Sequence, residues 1–353
     1  MKVKKQKFGM LSDGTKVHLY TVKNNHMSFS VTDYGCTITS ILLENERGVK
    51  TDVVLGFSTL EGYLNTKLCF GTIVGRYANR IGGGCFNLNG HKYELDKNDG
   101  QNTLHGGYFG FDKIVWNSEI IEEKNRCGVK FTRFSPDGEQ GFPGNVKIVI
   151  TYLLDTNNNL ICNYSAETDS ATPINITNHS YFNLAGRGTI CNHLLKLNST
   201  KYLEIGDDLI PTGKFIDVTD TPFDFSTQKE IGKDIAEVKP GYDHCYVTTA
   251  YDEFNKQCGV PLNDDKLIHF ANLIEPTSKR EMNVYTNMEG CQVYTANWIQ
   301  DVVGKNGVVY NNHDGLCLET QVFPDSPNKI NFPTCVLEPG QKLKAKTIYS
   351  FKF

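Results

Sequence analysis

Val146-Lys147-Ile148-Val149-Ile150-Thr151-Tyr152-Leu153-Leu154-Asp155-Thr156-Asn157-Asn158-Asn159 alternates apolar and mixed positions and then runs into a cluster of turn residues. In an extended chain Val146, Ile148, Ile150, Tyr152 and Leu154 fall on one face, and Lys147, Val149, Thr151 and Leu153 on the other. That pattern predicts a strand with one core face and one partly covered face. The Asp/Asn run after it tolerates the positive φ of a tight hairpin loop.

The same grammar recurs along the 353 residues. Asp13-Gly14 and Asn89-Gly90 each sit between apolar stretches, as hairpin turns do, and almost no segment sustains a 3.6-residue apolar period. Residues 231–238 fit either a short helix or a turn. No Ser/Gly/Pro-rich linker, charge break or internal repeat divides the chain, so a single domain over residues 1–353 is expected. Many strands without helical spacers predict an all-β fold: two large antiparallel sheets packed face to face as a β-sandwich, with polar islands on one concave surface.

A net charge of −4 and the lack of a long Lys/Arg block offer no field for nucleic acid. No stretch approaches the roughly 18 apolar residues of a membrane span. The basic start Met1-Lys2-Val3-Lys4-Lys5 leads into Phe8-Gly9-Met10-Leu11-Ser12-Asp13-Gly14, too short and polar for a signal sequence core. Eleven cysteines, an odd number without a Cys-x-x-Cys pair, read as reduced thiols rather than a disulfide frame or a zinc site. Together these predict a cytoplasmic protein with neither nucleic-acid nor membrane partners. Asn163, Asn175, Asn178 and Asn198 begin glycosylation sequons that such a location leaves unused.

Five polar islands carry the chemistry: Gly75-Arg76-Tyr77-Ala78-Asn79-Arg80-Ile81, Leu104-His105-Gly106-Gly107, Asn178-His179-Ser180-Tyr181-Phe182-Asn183-Leu184, Gly241-Tyr242-Asp243-His244, and the stretch around Glu319. Amides, guanidinium, imidazole and carboxylate set among aromatics are what a ring of sugar hydroxyls asks for, so a small neutral carbohydrate is the expected ligand. Glu319 follows the apolar run Gly315-Leu316-Cys317-Leu318, and burial at such a strand would raise its basicity. His179 titrates near neutrality when unperturbed. Read alone, Glu319 also suits a turn cap or an arginine partner, His179 and His105 suit structural roles, Arg80 an interstrand ion pair, and Asp243 a local turn. Trp298, Tyr181 and Phe182 are candidates to stack on a sugar ring.

These islands, with Gly110-Phe111-Asp112-Lys113, Ser135-Pro136-Asp137-Gly138-Glu139-Gln140-Gly141-Phe142-Pro143-Gly144, Thr221-Pro222-Phe223-Asp224-Phe225, Glu319-Thr320-Gln321 and Pro324-Asp325-Ser326-Pro327-Asn328, resemble in order the signatures of the aldose 1-epimerase (galactose mutarotase) family. The resemblance covers essentially the whole chain. It implies the large antiparallel supersandwich of that family, no metal or redox cofactor, and a small aldose as substrate. It further implies Glu319 as general base, His179 as general acid with His105 assisting, and Asn79, Arg80, His105, Tyr181, Asp243 and Gln292 as sugar-binding residues. Tyr77 and Ala296 depart from the family pattern, which often has a smaller residue at the first and Gly at the second. A carboxylate beside His179 is expected to keep its imidazole protonated. A glycoside hydrolase using Asp243 and Glu319, a non-catalytic sugar sensor and a hexose-6-phosphate epimerase are the competing readings, and the protein is expected to be a monomer or a weak homodimer.

Overall fold

The hairpin read from the sequence forms in the computed structural model, which describes residues 1–251 and 266–353. Strand Val146–Asp155 pairs antiparallel with Asn159–Thr168, Leu154 opposite Leu160. Asp155 Oδ1 accepts from the amides of Asn157 and Asn159, and Asn158 takes φ 61°, so the turn chemistry is made by the residues that announced it. Val146, Ile148, Ile150, Tyr152 and Leu154 are buried while Lys147 is exposed and Val149 and Thr151 half-buried. Leu153 is buried too, so the second face is covered locally.

This hairpin supplies the third and fourth strands of a nine-stranded antiparallel sheet running, in spatial order, Asn117–Glu122, Arg126–Ser135, Val146–Asp155, Asn159–Thr168, Leu343–Lys352, Glu281–Thr286, Ile268–Ile274, Leu194–Leu197 and Lys229–Glu230. The predicted second sheet is two sheets. A five-stranded meander, Lys2–Met10 to Lys50–Asp52, covers one end of the large sheet, with Tyr20 on Phe131 and Phe29 on Tyr152 at ring separations of 6.2 and 6.5 Å. A six-stranded sheet, ordered Tyr181–Phe182, Leu316–Gln321, Gly290–Tyr294, Asp243–Val247, Lys201–Ile205 and Pro211–Asp217, covers the other. There Tyr349 donates to the Leu318 carbonyl at 3.2 Å and Phe182 packs on Tyr349 at 4.9 Å. Splitting one layer in two lets it follow the twist of a nine-stranded sheet.

The hairpins at Asp13-Gly14 and Asn89-Gly90 also form, the latter with both turn residues at positive φ. Residues 235–237 make one turn of 3₁₀ helix within the stretch that fitted either a short helix or a turn. Among the described residues no helix is long and apolar enough to cross a membrane.

Candidate active site

Alternation on the six-stranded sheet builds the site. In Leu316–Gln321, Leu318 and Thr320 face the large sheet, so Cys317 and Glu319 project from the other side. Register sets Gln292 opposite Glu319, Tyr294 opposite Cys317, and Asp243 opposite Tyr294. Three neighbouring strands thereby present Glu319, Gln292, Tyr294 and Asp243 on one surface. With Asn79, Arg80, His105, His179, Tyr181, Leu104, Trp298 and residues 67–69 they line a cleft of about 190 Å³. That is below the roughly 300–1,000 Å³ of drug-sized ligand pockets and suits one small polar molecule. A larger cavity of about 510 Å³ runs along residues 196–201 and 247–249, but its polar lining is hydroxyls, an amide and two lysines with no acid–base pair.

All eight residues to which the resemblance gives catalytic or sugar-binding roles therefore meet in one place. His179 Nε2 stands 3.5 Å from Glu319 Oε1, and His179 Nδ1 lies 3.5 Å from Cys317 Sγ. Tyr181 stacks on the His179 ring at 5.0 Å and His105 meets it edge-on at 5.2 Å. Gln292 Nε2 donates to Asp243 Oδ1 at 2.7 Å, and Arg80 lies 3.9 Å from the other Asp243 oxygen while donating to Asp99 at 2.8 Å. Arg80 is thus the ion-pair partner its sequence context allowed and a cleft residue as well.

His105 is held at φ 53° and Asn79 at φ 62°, conformations in which non-glycine residues are strained. The two lock each other: the His105 amide donates to the Asn79 carbonyl, and the Asn79 amide donates to His105 Nδ1 at 3.2 Å. Because Nδ1 accepts, the proton of neutral His105 sits on Nε2. Gly106 follows at φ 88° with the Gly75 carbonyl 2.2 Å from where a Cβ would be, so only glycine lets this loop approach the 75–80 loop.

Burial governs the electrostatics. Glu319 is 2 % exposed; desolvation, reinforced by the nearby Asp243 and opposed by Arg80, holds its carboxyl well above the usual range. Desolvation likewise raises Asp243, with Arg80 and Gln292 working against it. The expected carboxylate does stand beside His179, but burial outweighs it and the imidazole is pushed down to about 4, so its predicted protonation is not what the structure favours. His105 is lowered too, by burial and then by His179 and Arg80. Burial thus works against charge on both members of the pair.

Glu319 Oε2 and Gln292 Oε1 are buried acceptors without a protein donor. Each such group costs about 1–3 kcal/mol unless satisfied, and a ligand rich in hydroxyls would satisfy both. His179, Cys317 and Glu319 also offer an imidazole, a thiol and a carboxylate oxygen within 4.8 Å of one another, the donor types that hold a transition metal.

Other expectations shift. Trp298 lines the cleft and is 61 % exposed, as a ring platform must be. Phe182, the next residue after cleft-lining Tyr181, points the opposite way into Tyr349 and is core. Cys317 was read as one thiol among eleven; its place two residues before Glu319 on a strand was the signal that it shares the cleft face. Arg76 is a brace: buried, it donates to Pro143 and Gly144 carbonyls at 2.7 and 2.9 Å, fastening the 135–144 loop. Asp325 does the same for the 80–82 segment, accepting from the Gly82 amide at 2.9 Å while its own amide donates to the Arg80 carbonyl at 2.8 Å. Ala296 sits at φ 52°, which explains why glycine is frequent there in the pattern it departs from.

Residues 18–350 match the family model described as Aldose 1-epimerase. The chain is 40% identical to the galactose mutarotases of Mus musculus and Homo sapiens, over 98% of this chain and 97% of each relative. It is 33% identical to the aldose 1-epimerase of Escherichia coli (strain K12), over 96% of both. Its fold superposes on the crystal structure of galactose 1-epimerase from Lactobacillus acidophilus NCFM with a TM-score of 0.85 at 28% identity, over 99% of this chain and 98% of that one. The chain belongs to the aldose 1-epimerase family.

Proposed function

We propose that this protein interconverts the α and β anomers of free hexoses such as galactose and glucose by proton transfer between Glu319, His179 and the sugar. The observation that carries the reading is the His179–Glu319 contact of 3.5 Å in the wall of a hexose-sized polar cleft. Ring opening takes a proton from the anomeric hydroxyl and gives one to the ring oxygen; reclosure after rotation about C1–C2 reverses both transfers. A pair holding a single proton has the stoichiometry for this. In the assignment carried over from the family, Glu319 is the base and His179 the acid. Handing the shared proton from Glu319 to His179 Nε2 sets those roles, and Asp243 and Arg80 tune how readily it moves. His105, donating from Nε2, assists at the ring oxygen. Asn79, Arg80, Asp243 and Gln292 bind hydroxyls, and Tyr181 and Trp298 frame the ring.

Neutral hexoses suit the cleft better than their 6-phosphates. Its lining contributes two cations, Arg80, already engaged by Asp99 and Asp243, and the exposed Lys67, against two carboxylates. Against hydrolysis, Asp243 is committed to Gln292 and Arg80 rather than free to flank a glycosidic bond. We read residues 1–353 as one domain, on the support of a core cluster that draws on residues from Tyr20 to Phe351.

Polarimetry on freshly dissolved α-D-galactose and α-D-glucose, beside anomer exchange of the 6-phosphates, tests the reading. Equilibration well above the spontaneous rate for the free sugars is expected. Sugar binding without acceleration would leave a non-catalytic sensor instead.

A further inference from the structure

We propose that His179, Cys317 and Glu319 also form a binding site for a thiophilic divalent cation of the zinc class, superimposed on the proton-transfer pair. One donor atom from each lies within 4.8 Å of the other two, and all three side chains are buried. The His179 Nδ1 to Cys317 Sγ separation of 3.5 Å is about what Zn–N and Zn–S bonds of roughly 2.0–2.1 and 2.3 Å subtend at a tetrahedral centre. Glu319 Oε1 stands 3.5 Å from the other ring nitrogen, Nε2, so the carboxylate has to turn toward the Nδ1–Sγ edge to complete the set. Glu319 Oε2 is buried and without a protein donor, so this carboxylate has an oxygen that no protein group occupies. Among the described residues this is the one such set of three His, Cys, Asp or Glu donors.

Charge and softness select the ion. A thiolate and a carboxylate neutralise a divalent cation, which a buried site requires. Sulfur and imidazole favour zinc-like metals over magnesium or calcium, which take oxygen donors. Coordination forms the metal–sulfur and metal–oxygen bonds, breaks the Cys317 S–H and the Glu319 O–H, and releases both protons to solvent, with no change of oxidation state. Three protein donors leave a fourth position for water or a sugar hydroxyl. The metal then occupies the lone pairs that proton transfer needs, so binding inhibits and chelation restores. Binding stands without the epimerase reading; the inhibition rests on it.

Cobalt(II) reads the site directly, because thiolate ligation gives a near-ultraviolet charge-transfer absorption. The full-length protein should take up one equivalent with that band, lose the band in Cys317→Ala and in Cys317→Ser, and keep it in Cys69→Ala. In Glu319→Gln the cobalt affinity should fall at least about 10-fold. Zinc should displace cobalt, slow anomer exchange at one equivalent and be reversed by EDTA. Saturating D-galactose should weaken zinc binding in calorimetry, whereas magnesium should bind no more than weakly. A band that persists in both Cys317 variants, or its absence from the wild type, overturns the proposal. A protein that shows the band but does not accelerate mutarotation keeps the metal site and rejects the epimerase reading; an active protein without the band does the reverse.

Discussion

His179 Nε2 and Glu319 Oε1 face each other at 3.5 Å, His179 in the link just before strand Tyr181–Phe182 and Glu319 on the strand that pairs with it, Tyr181 opposite Cys317. Because both groups are buried, each resists charge, and the pair behaves as one proton-holding unit. Glu319→Gln and His179→Asn are each expected to lower kcat for mutarotation at least about 100-fold with the fold preserved. Since burial pushes His179 down to about 4, the acid limb of the kcat/KM profile should lie near pH 4 rather than near 6.5. A folded Glu319→Gln protein with near-normal polarimetric rates would refute the assignment.

Glu289 precedes strand Gly290–Tyr294 and is fully buried, its Oε1 accepting from the Phe323 amide and its Oε2 without a protein partner. Desolvation pushes its carboxyl up to about 8, against an ordinary value of 4.5. The folded protein therefore binds this proton more tightly than the unfolded chain. The resulting stability is fully present below about pH 4.5 and is lost as pH rises through about 8. Glu289→Gln, which mimics the protonated form, should gain on wild type across that window, reaching a few kcal/mol at its upper end. Urea midpoints of both proteins at pH 5 and pH 8 check this, and parallel midpoints would contradict it.

The strand grammar was legible because alternation and Asn/Asp/Gly turns are local: Val146–Asp155, its loop and the turn at Asn89-Gly90 needed no tertiary information. The second layer read as one sheet and formed as two, since sheet membership depends on twist and pairing at a distance. Convergence of Glu319, His179, Asp243 and Gln292 came from the resemblance to a family; single-residue chemistry left each of them open to a bland role. Protonation of His179 was misjudged for a physical reason. The resemblance implied a neighbouring carboxylate but not the burial of His179 that outweighs it. Phe182 is turned away from the cleft by the two-residue period itself, a signal local to the sequence. Cys317 was visible in the same way, one alternate position from Glu319.

Tyr77 departs from the family pattern, and its size has a use. Its buried hydroxyl donates to the Phe323 carbonyl at 2.9 Å and accepts from the Ser326 amide at 3.2 Å, pinning the loop that leaves the Glu319 strand. That loop in turn fastens the 80–82 segment through Asp325, so one hydroxyl links both walls of the cleft. Tyr77→Phe keeps the ring and its packing but leaves the buried Ser326 amide without its partner, while the Phe323 carbonyl keeps the Ser326 hydroxyl at 2.8 Å; one unsatisfied group costs about 1–3 kcal/mol. Stability should fall by about that much in urea denaturation. Because Arg80 and Glu319 then lose their common brace, kcat should also fall several-fold. A variant with an unchanged urea midpoint would show that the hydroxyl braces nothing, and lost stability with unchanged kcat would show that the brace does not extend to the catalytic wall.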